Sequence, residues 1–146
     1  FTQVLWLDAV EGRYVEEVGA MNIFFVYRGE ELVTPSLSGS ILGGITRDSI
    51  LRLAPQLGLG AREERVDINQ VIADIEAGEI TEVFGAGTAA VVSPVGQLRY
   101  RGVVHTINDN QSGPVASRLL KTLTDIQYGR ADDPFGWVCP VEDTPA

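Results

Sequence analysis

Glu16 and Glu17 stand directly ahead of a run of small residues, Val18-Gly19-Ala20, which leads through Met21-Asn22 into a strongly apolar segment. A carboxylate carried inward by such a segment needs a cationic or hydrogen-bonding partner. A protonated ring nitrogen is one such partner, and the opposite charge keeps the acid ionised. A solvated acidic pair in a loop fits the same residues. A second candidate is Leu42-Gly43-Gly44-Ile45-Thr46-Arg47, set immediately before a helical pattern. Free N–H groups and the helix dipole favour an anion such as phosphate there, and the Thr46 hydroxyl can donate. An ordinary loop with Thr46 as N-cap is the alternative. The third is Gly85-Ala86-Gly87-Thr88-Ala89-Ala90, read as a small-residue connection between two strands. Such a loop exposes backbone amides and resembles an anion-binding nest, or it is simply a tight turn.

Other chemistry finds little support. His105 is the only histidine and sits in an apparent strand with no Ser/Asp or Cys constellation beside it. One His and one Cys with no ligand-spaced cluster argue against a metal site. Gly85-Ala86-Gly87-Thr88 lacks the Gly-Lys-Ser/Thr ending of a phosphate-binding P-loop. Cys139 is unpaired, so no internal disulfide framework exists.

These loops need elements to hold them. Val4 to Leu7 reads as a short strand that Phe1-Thr2-Gln3 leads into, Asn22 to Tyr27 as a strand rich in aromatic and β-branched residues, and Glu31 to Thr34 as its return after the turn Arg28-Gly29-Glu30. Residues 47–57 have helical spacing at Ile50, Leu53, Ala54 and Leu57, with Gly58 as a stop and Pro55 expected to kink or shorten the helix. Residues 68–77 form a second helix, with Asp67 and Gln70 at capping-box spacing. Strands are expected at 80–84, 88–93, 97–100 and 103–107. Gly113-Pro114 opens a third helix whose face is Val115, Leu119, Leu123 and Ile126. The tail from Ala131 is acidic and Pro-containing, with an apolar patch from Phe135 to Val138. The pattern predicts an α+β fold, in the sense of an α/β barrel-like domain of several short, mostly antiparallel strands and about three helices.

The chain has 146 residues, 45% hydrophobic and 21% charged, enough for one domain with a core. Its 20 acidic and 11 basic residues give a net charge of −9, with the basic residues scattered. That disfavours a nucleic-acid surface. No apolar run approaches the ~18 residues of a membrane span, so no membrane partner is expected.

Taken in order, the motifs resemble the branched-chain amino acid aminotransferases, which bind pyridoxal 5'-phosphate on fold type IV. Val4-Leu5-Trp6-Leu7-Asp8 is similar to the family's strand before its cofactor glutamate, and Glu17-Val18-Gly19-Ala20-Met21-Asn22-Ile23-Phe24 resembles the segment bearing that glutamate. Leu42 to Arg47 looks like Leu-Pro-Gly-Ile/Val-Thr-Arg, Glu82 to Ala89 resembles the Phe-Gly-x-Gly-Thr-Ala segment, and Leu123 to Gly129 matches a signature near the family's C-terminus. The resemblance implies that Glu17 pairs with the pyridine nitrogen, that Leu42 packs on the ring, and that Ile45, Thr46 and Thr88 hold the phosphate. It further implies that amides around Ala89 and Ala90 receive the substrate carboxylate. The implied reaction is reversible amino transfer between leucine, isoleucine or valine and 2-oxoglutarate, in a cytoplasmic homodimer.

The chain departs from the family in places. Gly43 stands where proline is usual. Ala90 and Ser93 replace the Cys-x-x-Cys of mammalian members, which points to a bacterial-type enzyme. The one lysine, Lys121, falls in the third helix and does not match the family's Schiff-base lysine, so no catalytic residue is assigned here. In the family that lysine, together with a phosphate-contacting arginine and tyrosine, lies N-terminal to the Glu17 segment. Residues 1–146 are therefore expected to be the C-terminal cofactor-binding domain of a longer enzyme, with the N-terminal domain and the start of this domain lying upstream. Its partner would be the N-terminal portion of the same polypeptide, and the isolated piece would be inactive. The rival expectations are a non-catalytic binding module, or a sibling D-amino acid aminotransferase or aminodeoxychorismate lyase.

Overall fold

The computed structural model describes residues 3–141; Phe1, Thr2 and the last five residues, including the end of the acidic tail, lie outside that range. Among the described residues, nine strands and three α-helices build a mixed fold around a seven-stranded sheet. Its spine is β3 (Met21–Tyr27), whose five central residues are buried. One edge of β3 pairs along its length with β6 (Ile80–Gly87), which pairs in turn with β7 (Val91–Pro94). The other edge is shared. β2 (Val15–Val18) takes the first part of β3 and β4 (Glu31–Pro35) takes the second. β1 (Leu5–Leu7) lies outside β2, and β5 (Gly60–Glu64) lies outside β4 in the sheet's one parallel pairing. Beyond β5 the chain returns to β2, where Val15 N–H donates to the Val66 carbonyl at 2.8 Å and Tyr14 bridges to Asp67. This closes a circuit of pairing through β2, β3, β4 and β5, the barrel-like feature of the fold.

Alternation along β3 sends side chains to two cores. Phe24, Val26, Leu32, Phe84 and Ala86 meet helix α1 (Ile45–Leu53) and helix α3 (Pro114–Gln127) on one face. Phe24 and Phe84 are register partners with rings stacked at 5.2 Å. On the other face Ile23, Phe25, Val33 and Val83 meet helix α2 (Ile68–Glu76). The same face meets Leu98, from the hairpin of β8 (Gln97–Tyr100) and β9 (Val103–Thr106). Burying each large side chain contributes about 1.5–3 kcal/mol, so covering both faces of a small sheet gives two layers of stabilising contact. No helix among the described residues is long and apolar enough to cross a membrane.

The helices and most strands match the sequence expectations, and the differences have local causes. The first helix begins at Ile45 with Gly44 as N-cap, so Thr46 is not the cap. The α-helix stops at Leu53, and Ala54–Leu57 continues as a 3-10 turn because Pro55 has no N–H to donate back along the helix. The capping box of the second helix is half formed. Asp67 accepts from Asn69 N–H at 2.9 Å, but Gln70 donates to Asp74 instead of reaching back. Glu16 and Glu17, expected in a loop, lie in β2. Gly85 to Gly87, expected to form the tip of a loop, lie in β6, and the turn falls at 88–90. The strand β5 has no counterpart among the sequence expectations.

The capping of α3 is tertiary. Glu82 on β6 is buried, and its carboxylate accepts the N–H groups of Val115 and Ala116, each at 2.9 Å. Gly113 is required there, because a Cβ would stand 1.8 Å from Glu82 Cδ. A strand carboxylate thus takes the place of an N-cap side chain and fixes α3 against the sheet.

Candidate functional site

At the Met21 end of the sheet, register places Glu17 opposite Asn22 and Asn22 opposite Ala86. Asn22 shares the parity of Phe24 and Val26, so this row lies on the face covered by α1 and α3. The loop before α1 folds onto the row. Leu42 N–H donates to Glu17 Oε1 at 3.2 Å, and Asn22 Nδ2 donates to the Leu42 carbonyl at 2.8 Å. The acidic segment and the Gly-Gly segment, 25 positions apart, are therefore in direct contact. Glu17 is half-buried, and its Oε2 accepts no hydrogen bond from the described residues.

The N-terminus of α1 has no side-chain cap. The amides of Ile45 and Thr46 precede any intrahelical acceptor, and the first helical bond is Asp48 N–H to the Gly44 carbonyl at 3.0 Å. Thr46 sits inside the first turn and not at the cap, and its hydroxyl makes no hydrogen bond among the described residues. Leu42 and Ile45 are 77% and 86% exposed. Two apolar side chains thus rim an open polar shelf. Arg47 braces it from behind. It is buried, pairs with Glu63, and donates from Nη2 to the Pro35 carbonyl at 3.0 Å, while its Nε has no partner among the described residues.

Thr88, Ala89 and Ala90 form the exposed turn between β6 and β7 at the same end of the sheet. The turn closes with Val91 at φ +56°. A β-branched residue in the left-handed region costs about 1–3 kcal/mol and is tolerated where surrounding structure imposes it, often at a ligand site. The Thr88 hydroxyl is likewise uncommitted among the described residues. The glycines before the turn serve packing. A Cβ on Gly85 would stand 2.8 Å from Met21 Cε, and one on Gly87 would stand 3.1 Å from Met21 Cγ. They let β6 lie close under Met21, so these two glycines lie within the strand and not at the tip of the turn.

All seven site positions expected from the sequence thus sit on three segments at one end of the sheet. Sequence reasoning missed Asn22 as a contact residue, although a lone amide in an otherwise apolar strand was a usable signal. It also missed Trp6, whose Nε1–H donates to the Gly19 carbonyl at 3.0 Å and braces the turn between Glu17 and Asn22. His105 is not at this site. It is buried on β9, with Nδ1 3.2 Å from Glu76 on α2. Lys121 is an exposed residue of α3 paired with Asp125.

Comparison with known proteins puts this arrangement in context. The family model described as amino-transferase class IV matches residues 1–98. The chain is 54% identical over 141 residues to branched-chain-amino-acid transaminase 1 of Bacillus subtilis (strain 168), covering 97% of this chain and 39% of that protein. It is 50% identical over 139 residues to the branched-chain-amino-acid aminotransferase of Mycolicibacterium smegmatis, covering 93% and 38%. Among solved structures, the T.th. branched-chain amino acid aminotransferase with pyridoxamine 5'-phosphate superposes with a TM-score of 0.77 at 34% identity, covering 93% of this chain and 41% of that one. The Escherichia coli enzyme gives 0.75 at 32% identity, covering 92% and 41%. The chain spans about two fifths of the length of these relatives. With the family model covering most of the sequence and these likenesses running through nearly all of it, the chain belongs to the class IV aminotransferases.

Proposed function

We propose that this chain is the C-terminal cofactor-binding domain, residues 1–146, of a branched-chain amino acid aminotransferase. The enzyme would exchange amino groups between leucine, isoleucine or valine and 2-oxoglutarate. The observation that carries the reading is the contact of Glu17 with the Leu42 loop, which joins a half-buried carboxylate to an uncapped helix N-terminus in one shelf. That donor and acceptor set fits pyridoxal 5'-phosphate. The carboxylate suits a protonated pyridine nitrogen, while two amides and two hydroxyls uncommitted among the described residues suit a phosphate dianion. When bound, this group supplies the electron sink that stabilises negative charge at the substrate α-carbon.

The chain's own residues then have defined tasks. Glu17 Oε2 holds the proton on the ring nitrogen, because an anion beside that site favours its charged form. Leu42 covers the ring and excludes water. Ile45, Thr46 and Thr88 bind the phosphate end. The amides around Ala89 and Ala90 take the substrate carboxylate and so orient its α-carbon. The lysine that the reaction requires is assigned to an N-terminal portion of the same enzyme, and the assembly to a cytoplasmic homodimer. The names of the relatives, together with this shelf, support the reading.

The test is a kinetic panel on the intact protein with 2-oxoglutarate as acceptor. The kcat/KM for L-leucine, L-isoleucine and L-valine should exceed that for D-alanine by at least about a hundredfold, the scale a shaped apolar pocket provides. D-alanine outperforming leucine would overturn the substrate assignment.

A further inference from the structure

We propose that Asn22 is a positioning residue that aligns the ring-covering loop and the phosphate-binding helix end with Glu17, an inference that rests on the cofactor reading above. Asn22 is 6% exposed and is the register partner of Glu17. These two neighbours hold opposite sides of Leu42, one through its N–H at 3.2 Å and the other through its carbonyl at 2.8 Å. The longer bond alone is a weak restraint, whereas the shorter one comes from a buried side chain with little rotamer freedom. The same amide also fixes Gly44. A Cβ on Gly44 would stand 2.4 Å from Asn22 Oδ1, so the helix N-cap rests directly on it. One side chain therefore sets both Leu42, which covers the ring, and the residue preceding the phosphate-binding amides of Ile45 and Thr46.

This wall makes a specific coupling. Asn22→Ala removes a hydrogen bond and opens space beside Gly44. Gly44→Ala in the natural background collides with Asn22 and displaces the loop, but the same alanine meets no wall once Asn22 is gone. Independent sites add, and coupled ones do not.

The experiment measures the dissociation constant of pyridoxal 5'-phosphate by absorbance titration of the intact protein, with the unfolding midpoint of each cofactor-free variant as a control. Asn22→Ser is included should Asn22→Ala fail to fold. Each single variant should bind about tenfold more weakly, the scale of one lost hydrogen bond in a site. The double variant Asn22→Ala/Gly44→Ala should be no worse than the weaker single, an outcome that a general loss of stability does not produce. Unchanged affinity in a folded Asn22 variant, or strictly additive losses in the double, overturns the inference while leaving the cofactor reading intact. A natural protein that binds no cofactor overturns both.

Discussion

On the proposed reading Glu17 contributes a charge and Thr46 a neutral hydroxyl, and substitutions can separate the two. Glu17→Gln keeps an oxygen to accept from Leu42 N–H but removes the charge proposed to hold a proton on the ring nitrogen. The fold should be indifferent, within the ~0.5 kcal/mol usual for surface changes. The kcat of the intact enzyme should fall about a hundredfold, since an ionic hydrogen bond is worth roughly 1.5–3 kcal/mol. Steady-state kinetics beside a thermal melt would show this split, and a melt that collapses with the activity would argue for a structural role. Thr46→Val keeps the volume and deletes the hydroxyl. It should raise the cofactor dissociation constant about tenfold with no change in the melt, because that hydroxyl makes no bond among the described residues. At this scale the sequence singled out residues that the fold gathers at one end of the sheet, and was silent about how they meet. An acid, a hydroxyl and a pair of glycines advertise their chemistry locally. That Gly85 and Gly87 are small to admit Met21 depends on a register between strands that lie far apart in the chain, and no local pattern carries it.

The elements divide in the same way. Helices α2 and α3 were legible because apolar spacing and a stop residue suffice. β5, Gly-Ala-Arg-Glu-Glu, was not, because it is an exposed edge whose charges discourage further pairing and hide its strand character. Nor was Glu82, read only as part of a motif, visible as the cap of a helix much later in the chain. Glu82→Ala should destabilise the fold by about 3 kcal/mol, since two buried amides at the start of α3 lose their acceptor. Glu82→Gln, which keeps one good acceptor, should lose about half as much in a denaturant titration. The turn joining β1 to β2 is held by Asp8, whose carboxylate accepts N–H groups from Glu11 at 2.7 Å, Arg13 at 2.9 Å and Tyr14 at 2.7 Å. Those bonds favour the ionised form, that of Tyr14 most strongly, and lower its pKa from the ordinary 3.8 to about 2. Its stabilising contribution is therefore complete above about pH 4 and is lost as pH falls through the folded value. Melting Asp8→Ala beside the natural protein should show a gap that is constant near neutrality and narrows between about pH 4 and 2. A gap independent of pH would contradict the assignment.

At the scale of the molecule, the fold explains why three distant segments come to the same end of the sheet. β3 is shared by β2 and β4 on one edge and lies along β6 on the other, so Glu17, Asn22 and Ala86 fall into one row. The turn 88–90 and the start of α1 follow from that row. Class and cofactor chemistry were readable from ordered motifs. The branching at β3 and the closure through Tyr14 and Asp67 were not, because they are long-range pairings. Leu42 and Ile45 stand open to solvent, and on the proposed reading a ring and a phosphate would cover them. The most direct test of that claim is a crystal structure of the intact protein with pyridoxamine 5'-phosphate. The phosphate should be hydrogen-bonded to the amides of Ile45 and Thr46 and to the Thr88 hydroxyl, with the pyridine nitrogen on Glu17. A phosphate held elsewhere, or a ring nitrogen with no contact to Glu17, would contradict it.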